Sequence, residues 1–203
     1  MAAKTRLKPY IFLASQSPRR SEILRSMHVS FETAASGYEE AHHLKANERP
    51  SSLVRRHAKG KALHAKLPHI KSTRQELVLG ADTIVYFQGR ILGKPRSYRE
   101  AEKTLMGMSG KSHTVYTGIA LVDRKSGRLF SAYEKTRVTF HAWDRGQIKR
   151  YVKDIHALDK AGSYAIQMDP CIVKKIQGSR SNVIGLPKEL LARVIRKAQE
   201  KIL

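Results

Sequence analysis

The stretch Leu77-Val78-Leu79-Gly80-Ala81-Asp82-Thr83-Ile84-Val85-Tyr86-Phe87 decides the fold of this chain. It is the strongest strand pattern present, rich in β-branched and large apolar residues and long enough to run through a core. One residue is out of place in it. Burying the Asp82 carboxylate costs several kcal/mol unless it is paired, protonated or on a metal. Either Asp82 faces solvent from a half-exposed sheet, or it has a partner and a task.

Reading outward, Gln88-Gly89 is a turn into a short strand, Arg90-Ile91-Leu92. Ser97 with Glu100 forms a capping-box pattern before a helix that ends near Gly110. Upstream, residues 10–15 read as a buried strand, followed by Ser17 as N-cap and Pro18 at the first helical position. Residues 29–35 alternate like a strand. A polar loop over 37–50 leads into a helix reaching about Lys66, with Leu53, Val54, Ala58, Ala62 and Ala65 on one face. Downstream, residues 113–123 and 128–141 are two strands joined by a turn at 124–127. Asp144 with Gln147 caps the next helix, 171–178 is a last strand, and an amphipathic helix with Leu190, Leu191, Val194, Ile195, Ala198 and Ile202 inward closes the chain. Alternating strands and helices predict an α/β fold, and the length suits one large domain over residues 1–203 or two closely joined lobes.

The 203 residues carry 39 Lys+Arg against 17 Asp+Glu, a formal net charge of +22. Such a balance raises nucleic-acid binding without catalysis as one function class. Against it, the basic residues are spread along the chain, with no basic tail, and the 7% aromatic content gives few bases a stacking partner. The single cysteine, Cys171, excludes an intramolecular disulfide and a Cys-based zinc site, and it reads as a small buried residue. No apolar run approaches a membrane span, and the apolar stretch from Tyr10 to Ala14 is too short for a signal-peptide core. The expected location is the cytoplasm.

Several segments exceed what cores and caps require. In Ser15-Gln16-Ser17-Pro18-Arg19-Arg20 a strand runs into a helix N-terminus, whose free N–H groups favour an anion and whose arginines present forks suited to phosphate. Gly93-Lys94-Pro95 fixes a lysine between a tight residue and a rigid one. Glu39-Glu40 beside a phosphate surface would repel a ligand unless a cation bridges them, and Mg²⁺ suits that arrangement; a solvated loop balanced by His42-His43 is the plainer alternative. Residues 162–167 and 178–187 combine small, aromatic and amide groups that could shape a nucleotide pocket. His57 and His64, seven apart on one helix, read as solvated rather than as a metal pair.

Taken in order, LASQSPRRSEIL (13–24), SGYEE (36–40), GADTIV (80–85), residues 92–121, LDKAGSYAIQ (158–167) and GSRSNVIGLP (178–187) resemble the Maf family of nucleoside-triphosphate pyrophosphatases over nearly the whole chain. The resemblance implies an elongated mixed sheet flanked by helices, two lobes and a central cleft, similar to inosine triphosphate pyrophosphatase. It implies hydrolysis of a nucleoside triphosphate to the monophosphate and pyrophosphate with a divalent cation, Mg²⁺ or Mn²⁺. Carried over by residue, Ser15, Ser17, Arg19 and Arg20 would grip the triphosphate, with Lys61 and Lys94 completing a basic lining. Glu40 and Asp82 would hold the metal, Asp82 would activate the attacking water, and Thr83 and Gln167 would contribute to substrate binding. Asp82, Lys94 and Arg20 form the expected catalytic set. SPRR, ADT and YAIQ resemble the branch acting on dTTP, UTP and modified uridine triphosphates rather than the 7-methyl-GTP branch. Partners implied are the nucleotide and a second copy of the chain, with no membrane and no specific nucleic acid. Two departures stand out: Met168-Asp169-Pro170 where a Gly usually follows Gln167, placing an acid beside the pocket, and Arg180 where an aromatic is common.

Overall fold

The computed structural model describes residues 9–40, 44–68 and 75–200. The pair His42-His43 and the terminal Ile202 lie outside the described residues. Along the chain run β1 (Tyr10–Leu13), α1 (Pro18–Ser26), β2 (Phe31–Thr33), α2 (Pro50–Leu63), β3 (Glu76–Phe87), β4 (Arg90–Leu92), α3 (Tyr98–Met108), β5 (Ser112–Asp123), β6 (Leu129–Phe140), α4 (Arg145–Asp154), β7 (Val173–Gln177), α5 (Arg180–Ile184) and α6 (Lys188–Glu200). No helix among them is long and apolar enough to cross a membrane.

The strands form one mixed sheet in the order β2-β1-β3-β5-β6-β7, with β4 also on β3. The β1–β2 and β1–β3 pairs are parallel and all others antiparallel. This is the mixed α/β sheet flanked by helices that the sequence predicts. β3 and β5 each have 12 residues, roughly 40 Å of extended chain at about 3.3 Å per residue, so each spans the molecule.

The two ends of these strands carry different cores. At one end Leu77, Leu79, Ile119 and Leu121 meet α1 and α6, while Phe12, Val78 and Ala120 on the opposite face meet Ala58 and Ala62 of α2. At the other end Val85, Val115, Val138 and Phe140 pack on Ala101, Leu105, Ile148 and Val152 of α3 and α4.

Between the ends, one edge of β3 opens. β1 pairs with Glu76 through Leu79 and β4 with Val85 through Phe87, so residues 80–84 have no strand partner on that side among the described residues. The gap falls on the Gly-Ala-Asp-Thr segment and gives the fold its cleft.

Local signals match closely. Asp144 and Gln147 make a full capping box on α4. Ser97 accepts from the Glu100 amide, whereas the Glu100 carboxylate takes the Arg96 amide, so the expected box is only half made. α2 stops at Leu63 instead of Lys66, because the chain leaves the helix at His64 and the Lys66 amide bonds the Ala35 carbonyl. Cys171 is exposed, a correction to its expected burial. β7 begins only at Val173, and Cys171 sits in the preceding turn, where its amide bonds Asp169 Oδ1 at 2.8 Å.

Candidate active site

A cleft of about 590 Å³ lies along the open edge of β3. Ser15, Ser17, Arg19, Arg20, Glu40, Lys61, Asp82, Thr83, Lys94 and Gln167, every site residue expected from the sequence, line it.

Asp82 faces α2 and is 4% exposed. Its burial and its partners set aside the alternative of a solvated face. Lys61 Nζ donates to Oδ1 at 2.8 Å, and His57 Nδ1 lies 2.9 Å from Oδ2. Burial alone would raise its pKa. The hydrogen bond to His57, then Lys61 and the more distant Arg20, outweigh burial and hold it well below the usual carboxylate range.

Such contacts need α2 to lie unusually close to the sheet. A Cβ on Gly80 would stand 2.0 Å from the Ala58 carbonyl oxygen, and one on Gly118 2.3 Å from that of Val54. These two glycines, opposite Ala120 and Asp82 in the β3–β5 register, remove the side chains that would hold the helix away. His57, one turn before Lys61, is thereby buried at 2% exposure. This corrects its reading as a solvated histidine, which periodicity alone could not distinguish from a core position.

Glu40 reaches the same point from a loop. Ser36 Oγ donates to the Lys61 carbonyl at 3.1 Å and accepts from the Tyr38 amide at 3.3 Å, which fastens residues 36–40 to α2. The Tyr38 ring covers Gly60 and packs 5.8 Å from the His57 and His64 rings. Lys61 Nζ then lies 2.9 Å from Glu40 Oε1 as well as against Asp82. Lys61 was expected to line the phosphate side; its ammonium instead bridges the two acids. Donor atoms of Glu40, His57 and Asp82 lie within 4.8 Å of one another. Two carboxylates converging on one cation position, with imidazole beside them, fit a small oxygen-seeking divalent ion.

On the opposite wall, Ser17 is the N-cap of α1 but makes no side-chain cap bond, leaving its hydroxyl to the cleft. Arg20 donates from Nε to the Gly185 carbonyl at 3.0 Å, from Nη1 to Ser15 Oγ at 3.0 Å and from Nη2 to Thr83 Oγ1 at 3.3 Å. Burial lowers its pKa against the pull of Asp82 and Glu40, and a guanidinium stays charged regardless. Three of its five N–H groups fix its position, and two remain for a ligand. Arg19 stands 3.9 Å from Asp159. Lys94 follows Gly93, whose carbonyl accepts from the Gly162 amide at 3.0 Å.

Sequence reasoning assigned Asp159, Lys160 and Tyr38 no role in the cleft they line, whereas Tyr164 lies in the 162–167 segment read as pocket-shaping. Lys160 is buried and paired with Asp159. Both occur in the LDKAGSYAIQ segment, so the signal was present without a role attached. Asp169 does not line the cleft, since its carboxylate caps Cys171. Arg180 holds the Ile166 carbonyl at 3.1 Å and lines a neighbouring groove.

A family model described as Maf-like protein matches residues 10–198. The chain is 42% identical over 193 residues to the dTTP/UTP pyrophosphatase of Gloeobacter violaceus, covering 95% of this chain and 97% of the relative. It is 44% identical over 182 residues to that of Chlorobium phaeovibrioides (88% and 92%), and 41% identical over 191 to one of Bacillus cereus (94% of each).

Proposed function

This chain belongs to the Maf family, and from that premise we propose that it hydrolyses dTTP and UTP to the monophosphate and pyrophosphate. The observation that carries the reading is the convergence of Asp82, Glu40 and Lys61 in one cleft faced by Arg19, Arg20 and Lys94. A nucleotide is recognised there by charge at one end and by the Tyr164–Gln167 wall at the other.

Glu40 and Asp82 would hold a divalent cation, Mg²⁺ or Mn²⁺, which when bound neutralises phosphate charge and acidifies water. Asp82 Oδ1 is held by Lys61 and Oδ2 by His57. With both oxygens of Asp82 held by hydrogen bonds, its role is to orient the water for in-line attack. Water adds at phosphorus as the α–β anhydride P–O bond breaks; the electron pair leaves with the pyrophosphate, and the proton that water gives up passes to the departing pyrophosphate or to solvent. Arg20, pre-fixed by Gly185, Ser15 and Thr83, offsets the charge that develops without needing to reorganise. Lys94 and Arg19 complete that neutralisation, and Lys61 is free to turn from the carboxylates to a phosphate once another cation takes its place. Ser15, Ser17, Thr83 and Gln167 position the substrate.

The test is direct. The protein is incubated with Mg²⁺ or Mn²⁺ and a panel of nucleoside triphosphates that includes dTTP, UTP and 7-methyl-GTP, and pyrophosphate and monophosphate are measured. dTTP and UTP should be cleaved fastest, and EDTA should abolish turnover. Equal amounts of pyrophosphate and monophosphate are expected; release of orthophosphate alone would place the cut elsewhere. Preference for 7-methyl-GTP would reassign the branch.

A further inference from the structure

The face of the sheet that carries Asp82 continues beyond the N-terminal end of α2. Directly paired residues of neighbouring strands share a face. One row therefore presents Tyr86, Thr114, Arg137 and Gln177, and the next Ile84, Tyr116 and Lys135. Ile84 is covered by Leu53 and Val54 of α2. The rest of these two rows is exposed or half-buried. Lys175, paired with Thr139, extends the same face onto the edge strand.

The aromatic and basic groups alternate across it. The Tyr86 and Tyr116 rings meet edge to face at 6.2 Å. Lys135 stands directly opposite Tyr116, and Arg137 lies in the row of Tyr86. Tyr133, two residues along β6 from Lys135, is 41% exposed. These two rows contain no carboxylate. Asp82 shares the face but is enclosed under α2 and already paired.

We propose that this open sheet face binds single-stranded nucleic acid, with Tyr86, Tyr116 and Tyr133 as stacking platforms and Lys135, Arg137 and Lys175 on the phosphates. Charge complementarity selects the occupant. The chain carries +22, and two open rows without a carboxylate attract a polyanion. A second copy would set these cations against their own images. Inorganic phosphate would leave the tyrosines without a role, whereas every base offers a π-face to them. The low overall aromatic content is no obstacle, because the tyrosines that matter are gathered on one face. This site is separate from the cleft and does not depend on the nucleotide chemistry proposed above.

Fluorescence anisotropy of a labelled oligothymidylate, titrated with the full chain over a range of salt, tests this. The wild type should bind with a steep salt dependence. The double variant Lys135→Gln/Arg137→Gln should lower the slope of log K against log salt by about 1.4, two contacts at about 0.7 each for a single strand. The pair Tyr86→Leu/Tyr116→Leu should weaken binding at least about fivefold with the slope unchanged. Arg193→Gln/Arg196→Gln, exposed on α6, is the control and should leave affinity within about twofold, having no contact with the strand. An equal loss in the control would reduce the effect to net charge and overturn the proposal. So would absence of binding by the wild type, or stoichiometric displacement of the oligonucleotide by dTTP, which would place it in the cleft. Sedimentation adds a further arm: a dimer dissolved by the Lys135/Arg137 variant would assign the face to a second copy. Lys135 and Arg137 are exposed and outside every core cluster, so their variants fold, and retained nucleotide turnover verifies it.

Discussion

Asp82, midway along the β3–β5 ladder, and His113, at one end of it, are buried alike, at 4% and 3% exposure, yet they stay in different charge states. Asp82 is ionised because Lys61 and His57 each take one of its oxygens. His113 has a tyrosine hydroxyl on Nε2 at 2.9 Å, no partner on Nδ1 among the described residues, and the Phe140 and Tyr164 rings edge-on at 4.7 and 5.2 Å. Burial pushes its pKa down to about 3, so it remains neutral. Burial therefore sets the cost of a charge, and the neighbouring groups decide whether the charge survives. The cleft keeps its charges for chemistry. The far end uses a neutral polar pair to hold Tyr164, which lines the cleft from below.

The contrast breaks most visibly at Asp82. Asp82→Asn should cut turnover by at least about 100-fold, the scale of a positioned catalytic group, with the fold kept. Turnover near wild type would remove Asp82 from the reaction. Next in size, Arg20→Ala should lower kcat/KM by roughly 10- to 100-fold, since it removes a charge-assisted contact and frees Ser15, Thr83 and Gly185; steady-state kinetics with dTTP measure it.

His57→Leu sharpens the comparison by making Asp82 more like His113, buried with one supporter fewer. The Asp82 pKa should rise, because a group that stabilises the ionised form is gone. The acid limb of the kcat/KM profile should shift to higher pH, and kcat/KM at neutral pH should fall by about tenfold, as for outer groups that orient a ligand. His57→Asn, which keeps an N–H donor near Nδ1, should recover most of the loss. An unchanged acid limb in the leucine variant would mean that His57 only fills space.

The smallest effect belongs to the far end. His113 is neutral in the fold until pH falls to about 3, whereas the unfolded chain takes up its proton near about pH 6.5. Stability from this group is fully present above that value. It is lost as pH falls between those limits, at about 1.4 kcal/mol per unit. Urea unfolding across that window should show the slope, and His113→Phe should flatten it while leaving kcat/KM at neutral pH within about twofold, since the residue touches no reacting group.

Much of this could be read before any coordinates. The strand at 77–87, the caps at Ser17 and Asp144 and the final amphipathic helix depend on contacts within a few residues, where sequence pattern is informative. The ten expected site residues came mainly from motif resemblance, and all face one cleft. His57 was not legible, because its burial depends on a helix pressed onto a sheet by Gly80 and Gly118, the latter 61 residues away in sequence. Cys171 was misread because the strand begins two residues later than its apolar pattern suggests.

The sequence by itself determined the order of strands and helices apart from the short α5, the anomaly of an acid in the main strand, and a strongly basic balance. Tertiary structure decided which charges count. It put Lys61 between Glu40 and Asp82, left residues 80–84 of β3 open along one edge, and gathered three scattered tyrosines with Lys135 and Arg137 on one face. The reason is range: backbone preference acts over a few bonds, whereas the energy of a charge depends on everything within several ångströms through space.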